Sequence, residues 1–95
     1  MSKQETAKAR RRVKALQKQL GSLGPVMRGS VVVIGTRNKQ SYFSLNKDKK
    51  THLIDLGKRR EERAKEYSAN HKKLLGIVEE MTLLNMKLLK EGACL

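Results

Sequence analysis

The sequence has one cysteine, one proline, no tryptophan and three aromatic residues in a chain of 95. The single cysteine, Cys94, excludes an internal disulfide framework and a multi-cysteine zinc site, and it favours a reducing, cytoplasmic compartment. We interpret it as a frayed tail thiol. Scarce aromatics leave few large rigid groups to fill a core, and a chain of this length buries little apolar surface. We therefore expect one small domain whose stability depends on helix packing or on a partner.

The groups that would make an enzyme are also scarce. The reactive side chains are His52, His71, Cys94 and carboxylates that are mostly interleaved with Lys and Arg. They supply neither a nucleophile with its base nor a set of metal ligands. The Gly21–Gly24 stretch follows a helical pattern and lacks the lysine of a phosphate-binding loop. The sequence thus predicts a non-enzymatic protein without a metal or other cofactor.

Long apolar runs are absent as well. No stretch approaches the roughly 20 apolar residues that cross a bilayer, and the N-terminal segment is too charged for a signal peptide. That segment also lacks the Trp, Phe and dense Leu face of helices that lie on membranes. We expect a soluble protein that does not bind a membrane.

What the sequence does have is positive charge: 22 Lys and Arg against nine Asp and Glu, a net charge of +13. Such an excess opposes compaction unless a polyanion supplies counter-charge, which favours nucleic acid as the partner over a merely well-solvated surface. The excess is greatest in residues 1–20, where seven basic residues and one acidic residue give +6. Residues 21–56 carry +4, and residues 57–95, with nine basic and six acidic side chains, carry +3.

The N-terminal segment is predicted to be a basic helix over residues 2–21. Ser2, followed three positions later by Glu5, forms a capping box, in which the Ser2 hydroxyl accepts the Glu5 backbone NH and Glu5 bonds back. Apolar residues from Ala9 to Leu23 recur at alternating steps of three and four. This is the spacing of a seam that packs on another helix.

Between residues 26 and 56 the pattern changes to that of β-strands. Val31–Ile34, Ser41–Leu45 and Thr51–Leu56 are the candidate strands, and the Gly, Asn and Asp residues between them predict turns. A three-stranded antiparallel meander with two basic turn tips is the simplest arrangement.

Residues 58–91 contain no proline and one interior glycine, and they are predicted to form one long helix. Its apolar seam is expected to pair with that of the first helix or with a second copy of the chain. His71 and Asn85 interrupt the seam; they fit a role in fixing the register, and equally polar groups that reach solvent or a backbone carbonyl. Ile77 and Leu84 widen the apolar face. The residues expected in the two seams are Val13, Leu16, Leu20, Tyr67, Leu74, Val78, Met81, Asn85 and Leu88.

Two surfaces are predicted to contact nucleic acid. Charge surrounds most of the first helix, a form that suits phosphates rather than base edges. The start and turns of the meander combine Lys with Arg, Asn and Gln, which can read base edges; a solvated hairpin with protective edge lysines is an equally weighted alternative. A strand ribbon fits a DNA major groove, and Tyr42 is the sole good aromatic for RNA stacking, so DNA is favoured over RNA. The predicted contact residues are Lys8, Arg10, Arg11, Arg12, Lys14, Lys18, Arg28, Arg37, Asn38, Lys39, Lys47, Lys49 and Lys50.

Three short motifs lie within residues 25–90: Met27-Arg28-Gly29-Ser30, Tyr42-Phe43-Ser44-Leu45 and Leu83-Leu84-Asn85-Met86-Lys87-Leu88-Leu89. Through these motifs, residues 25–90 resemble a family of short bacterial proteins of unknown function that are often encoded on mobile elements. Many members carry a cysteine cluster in the first hairpin, where this sequence has the Gly35–Gln40 turn without cysteine, so a family zinc site is not carried over. The meander followed by a helix is also similar to the arm-binding domains of phage-type tyrosine recombinases, which place a three-stranded sheet in DNA.

Together these features predict an α+β fold with an N-terminal helix, a three-stranded antiparallel meander and a long C-terminal helix that pairs with the first. The predicted function is that of a small basic nucleic-acid-binding protein, a DNA-binding accessory factor of a mobile element. Two alternatives stay open. One is a helical protein interaction module, as a homodimer or with a larger nucleoprotein partner, and the other is an RNA-bound accessory subunit.

Overall fold

The structure confirms the predicted α+β class. The computed structural model describes residues 2–92, so Cys94 lies outside the described residues. One compact unit is formed by residues 2–23 and 73–92, and a second by Gly24–Lys72; the single domain expected from chain length stays a prediction. The elements are α1 (Lys3–Gly21), β1 (Ser30–Ile34), β2 (Gln40–Lys47), β3 (Lys50–Asp55) and α2 (Gly57–Lys90).

Helix α1 begins at the predicted cap. The Ser2 hydroxyl accepts the backbone NH of Glu5 at 3.2 Å, which satisfies one of the NH groups that a helix start leaves without a partner. Among the described residues, the reciprocal bond from the Ser2 NH to the Glu5 side chain is not formed. At the other end, the Ser22 NH donates to the Lys18 carbonyl at 3.2 Å, and the Gly24-Pro25 pair that follows cannot continue the helix.

In the first unit, α1 and the C-terminal part of α2 pack as an antiparallel pair, as predicted. Ala9 and Val13 form a buried cluster with Leu88, whereas Arg12 reaches Glu80. A later position on α1 than Ala9 thus meets an earlier position on α2 than Leu88, which is the order of antiparallel helices. Each helix therefore covers the apolar side of the other, which an isolated helix would leave exposed to water.

The seam on α2 is rotated relative to the predicted one. Leu20 and Val78, both predicted in the seam, are 37% and 47% exposed, and Ile77 takes the buried position beside Val78. The buried and half-buried positions 74, 77, 81, 84 and 88 keep alternating steps of three and four. A rotation of α2 about its axis, rather than a change of period, therefore turns Val78 outward and Ile77 inward. The predicted seam residues that are buried or half-buried in this unit are Val13, Leu16, Leu74, Met81, Asn85 and Leu88.

The second unit is the meander, covered on one face by the N-terminal part of α2. Strand β2 is central and pairs antiparallel with β1 and β3. In this register Val31, Phe43 and Ile54 lie side by side on one face. Helix α2 packs on the β1 and β2 side of that face, where Phe43 is buried with Leu56 and Ala64, whereas Ile54 of β3 is 56% exposed.

The segment that leads into β1 is held against α2 within this same unit. Asn70 is buried, and its amide is satisfied by the backbone, because a buried polar group without a partner would cost stability. Tyr67 was predicted to lie in the seam between the two helices, but it lies in the second unit beside this segment. Three hydrogen bonds hold the segment against α2: from the Met27 NH to the Tyr67 carbonyl (3.2 Å), from the Ser68 hydroxyl to the Gly29 carbonyl (2.9 Å) and from the Asn70 amide to the Pro25 carbonyl (2.9 Å).

Candidate nucleic-acid interface

Five cations form a continuous stripe on the outer side of α1, which we call the outer stripe. At about 100° per residue, the buried positions Ala9, Val13 and Leu16 span an arc of about 60°, and the outer stripe is centred on the opposite side. Glu5 is the sole carboxylate of α1, and the same spacing places it away from the stripe. The stripe residues, all exposed, are Lys3, Arg10, Arg11, Lys14 and Lys18.

The charges of the outer stripe are not neutralised within residues 2–92. None of its side chains forms an ion pair there, and Arg11 donates one hydrogen bond to the carbonyl of Ala7 at 3.4 Å. That bond to a neutral carbonyl leaves the Arg11 charge uncompensated. The stripe is therefore a run of cations whose counter-charge comes from solution or from a partner.

Lys8 and Arg12, also predicted to contact nucleic acid, lie on the flank of the buried face rather than in the outer stripe. Arg12 donates to both carboxylate oxygens of Glu80, at 2.5 and 3.0 Å. This hydrogen bonding raises the pKa of Arg12 and lowers the pKa of Glu80. A lowered carboxyl pKa means that the pair is present at neutral pH and is lost as the pH falls through that pKa. Because both groups are exposed, the pair orients the helices more than it stabilises them.

The predicted contact surface of the meander is divided between the two ends of the sheet. The first tip, Arg37–Lys39, joins β1 to β2, and the second tip, Lys47–Lys50, joins β2 to β3. Antiparallel pairing places consecutive turns at opposite ends, and the eight residues of β2 separate the tips by about 23 Å. Arg28 belongs to the second tip, because its guanidinium donates to the Asn46 carbonyl at 3.0 Å.

The second tip is held in an unfavourable conformation. Asp48 and Lys49 both have positive φ, 55° and 62°, as a two-residue turn of this type requires, but neither is the glycine that adopts it most easily. Lys47 lies directly opposite Lys50, so two like charges face each other across the strands. An anionic partner at this tip would offset the repulsion.

We predict that Lys49→Gly raises the free energy of unfolding by about 1 kcal/mol, because glycine adopts positive φ without the strain of a Cβ atom. Lys50→Gly is the matched control: it removes the same charge from a strand position, where glycine is destabilising by about 1 kcal/mol or less. Urea unfolding followed by circular dichroism compares them. Equal stability of the two variants would show that the turn conformation is not strained.

The sheet face that α2 leaves uncovered is polar along β2, and we call it the open face. Alternation with buried Phe43 places Gln40, Tyr42, Ser44 and Asn46 on it. The Tyr42 hydroxyl donates to the Gln40 side-chain carbonyl at 2.7 Å. The Gln40 amide NH2 therefore stays available as a donor, which is a group that can read base edges.

On the covered face, two arginines that the sequence analysis did not single out border a cavity of about 470 Å³. Arg59 and Arg63 lie on its rim with Tyr67, and buried Phe43 and Leu56 lie at its apolar floor. Neither arginine has an ion-pair or hydrogen-bond partner in the part of the chain that the structure describes. Their spacing of four, continued to Tyr67, was the signal in the sequence that one helix face carries all three.

Arg60, the third arginine of this rim, has a different role. It donates to the Leu56 carbonyl at 3.1 Å and to the Asp55 carbonyl at 2.9 Å. These bonds fix the chain where β3 ends and α2 begins. We therefore place Arg60 in the framework of the cavity and Arg59 and Arg63 among the cations that face solvent.

The described residues contain no cluster of three or more His, Cys, Asp or Glu side chains that would hold a metal ion. No helix in that part of the chain is long and apolar enough to cross a membrane. The chain matches no protein-family model, no curated protein and no solved structure.

Proposed function

We propose that the chain binds nucleic acid, with duplex DNA as the preferred form, and acts as an accessory factor of a mobile element. The observation that carries the proposal is the outer stripe: five exposed cations on one side of α1 with no carboxylate among them. The association with mobile elements rests on the resemblance of residues 25–90 alone.

The outer stripe has the reach of a phosphate-binding surface. From Lys3 to Lys18 it extends over about 22 Å of helix, at a rise of 1.5 Å per residue. Duplex DNA presents a negative charge about every 1.7 Å along its axis, so several phosphates lie within this length. Lys and Arg contacts of this kind fix position and supply affinity that falls with salt, but they carry no sequence information.

The open face supplies side chains that can contact base edges, which the outer stripe does not. A DNA major groove about 12 Å wide admits strands, and its base edges present the donors and acceptors that Gln40 and Asn46 can meet. With the open face in the groove, two tips about 23 Å apart overreach its width. Their lysines meet the phosphate backbones on either side, and Arg37 and Asn38 of the first tip contact base edges at the border of the groove. The deep, narrow major groove of duplex RNA does not admit a sheet, which supports DNA over RNA.

We predict that replacing Arg37, Asn38 and Lys39 by alanine changes the ranking of DNA sequences by affinity. A lost bidentate contact to a base edge costs about 1–3 kcal/mol for the sequence that made it and little for the others. The measurement is a binding competition among duplexes of randomised sequence. The control variant, Lys72→Ala with Lys73→Ala, removes the same number of positive charges, two, from α2 and should lower the affinity for all duplexes equally. An unchanged ranking in the tip variant would restrict the meander to phosphate contacts.

A further inference from the structure

Helix α2 carries a second apolar face, separate from the one that packs on α1. Leu75, Val78, Met86 and Leu89 are 54%, 47%, 60% and 68% exposed, and with Thr82 they lie within an arc of about 80°. We call these five residues the outer apolar face. Its centre lies about 120° around the helix from the centre of the buried seam, so α1 does not cover it.

The outer apolar face stays apolar at its centre, although the residue there is Thr82. The Thr82 hydroxyl donates to the Val78 carbonyl of its own helix at 2.7 Å, which satisfies the hydroxyl. No other polar side chain interrupts the arc between Leu75 and Leu89. A continuous exposed stripe of large apolar residues on a helix marks a binding surface, because folded proteins rarely leave such a patch in water.

We propose that the outer apolar face binds the same face of a second copy of the chain, with the two α2 helices antiparallel and a two-fold axis at Thr82. The spacing of the face is symmetric about this residue: Val78 and Met86 lie four positions to either side, and Leu75 and Leu89 lie seven. Antiparallel pairing therefore sets Leu75 against Leu89 of the second copy and Val78 against Met86. A two-fold interface needs this self-complementarity.

Charge also favours a second copy at this place and in this direction. Residues 73–91 carry three lysines and three glutamates, so this part of a chain of net charge +13 is neutral and repels its own copy least. Antiparallel pairing about Thr82 also keeps the two C-terminal ends of α2, each the negative end of a helix dipole, about 24 Å apart along the axis, whereas parallel pairing would bring them to the same level.

The first test is the mass of the nuclease-treated protein, measured by size-exclusion chromatography with light scattering in a Cys94→Ser background. We expect the mass of two chains. Met86→Glu should weaken self-association at least about tenfold, since it buries a charge in the interface. Leu83→Glu is the matched control: Leu83 is 52% exposed but lies outside the arc, and this variant should stay dimeric.

Cross-linking with a short bis-maleimide, in the same Cys94→Ser background, tests the direction of pairing. Thr82→Cys should cross-link to itself, and Leu75→Cys should cross-link efficiently only when mixed with Leu89→Cys. Cross-linking of Leu75→Cys to itself would show parallel helices and overturn the two-fold axis. A monomer at all concentrations, or a dimer that Met86→Glu leaves intact, would overturn the proposed surface. No nucleic acid is present in either test, so their outcome is independent of the proposed function.

Discussion

Replacing Arg10, Arg11, Lys14 and Lys18 by alanine is expected to weaken DNA binding at least about 100-fold at low salt. Each phosphate contact contributes about −0.9 to the slope of log Kobs against log salt concentration, so four lost contacts flatten the slope by about 3.6. Parent and variant should therefore converge as salt rises. The fold should survive, because the four side chains are exposed and alanine is the best helix former.

The matched control for this variant removes four lysines from α2 instead: Lys65, Lys72, Lys73 and Lys87. The net charge falls equally, so both variants lose the same general attraction to a polyanion. The α1 variant should nevertheless lose far more affinity and more salt dependence. Equal losses in the two variants would mean that the outer stripe has no special role and that net charge alone accounts for binding.

Gly29→Ala is expected to lower the free energy of unfolding of the second unit by about 3 kcal/mol or more, a large part of the stability of a small domain. Gly29 has φ +134°, and an added Cβ would lie 2.5 Å from the Ser44 carbonyl oxygen and 2.7 Å from the Phe43 ring. The Ser44 carbonyl belongs to β2, which pairs with β1 on one side and β3 on the other, so it cannot move away without disturbing the sheet. Both the backbone conformation and the space at this position require glycine.

Gly76→Ala is the control for this substitution. Gly76 lies in the interior of α2, and an added Cβ would meet nothing within 4 Å. Alanine should therefore stabilise the helix by up to about 1 kcal/mol. Urea unfolding of the two variants and the parent gives both differences; a Gly29→Ala protein as stable as the parent would contradict the close packing of β1 against β2.

The fold was predictable because its signals are local. The Ser2 cap, the β-branched run in β1 and the absence of proline from residue 58 onward each specify the conformation of neighbouring residues. The observed bounds differ from the predicted ones by a few residues: β2 extends two residues past Leu45, and α2 begins at Gly57. The order of elements then left a meander between two helices as the simplest topology.

The residues that were wrongly placed from the sequence are those whose positions depend on contacts between distant segments. Whether Ile77 or Val78 enters the seam is decided by a rotation of a fraction of a turn, which the apolar pattern of α2 does not fix. Arg12 is withdrawn from the cationic surface by Glu80, 68 positions later in the chain. Arg59 and Arg63 could not be singled out from the sequence, because the cavity that they border in the second unit forms only when the chain is folded.

A salt titration of the unsubstituted, nuclease-treated protein tests the central claim most directly. Fluorescence anisotropy with a labelled DNA duplex, from about 50 to 300 mM salt, measures the slope of log Kobs against log salt concentration. Five outer-stripe contacts predict a slope of about −4.5 or steeper, and duplex DNA should bind more tightly than duplex RNA of the same sequence at each salt concentration. Absence of binding at the lowest salt concentration, or a slope near zero, would contradict the account.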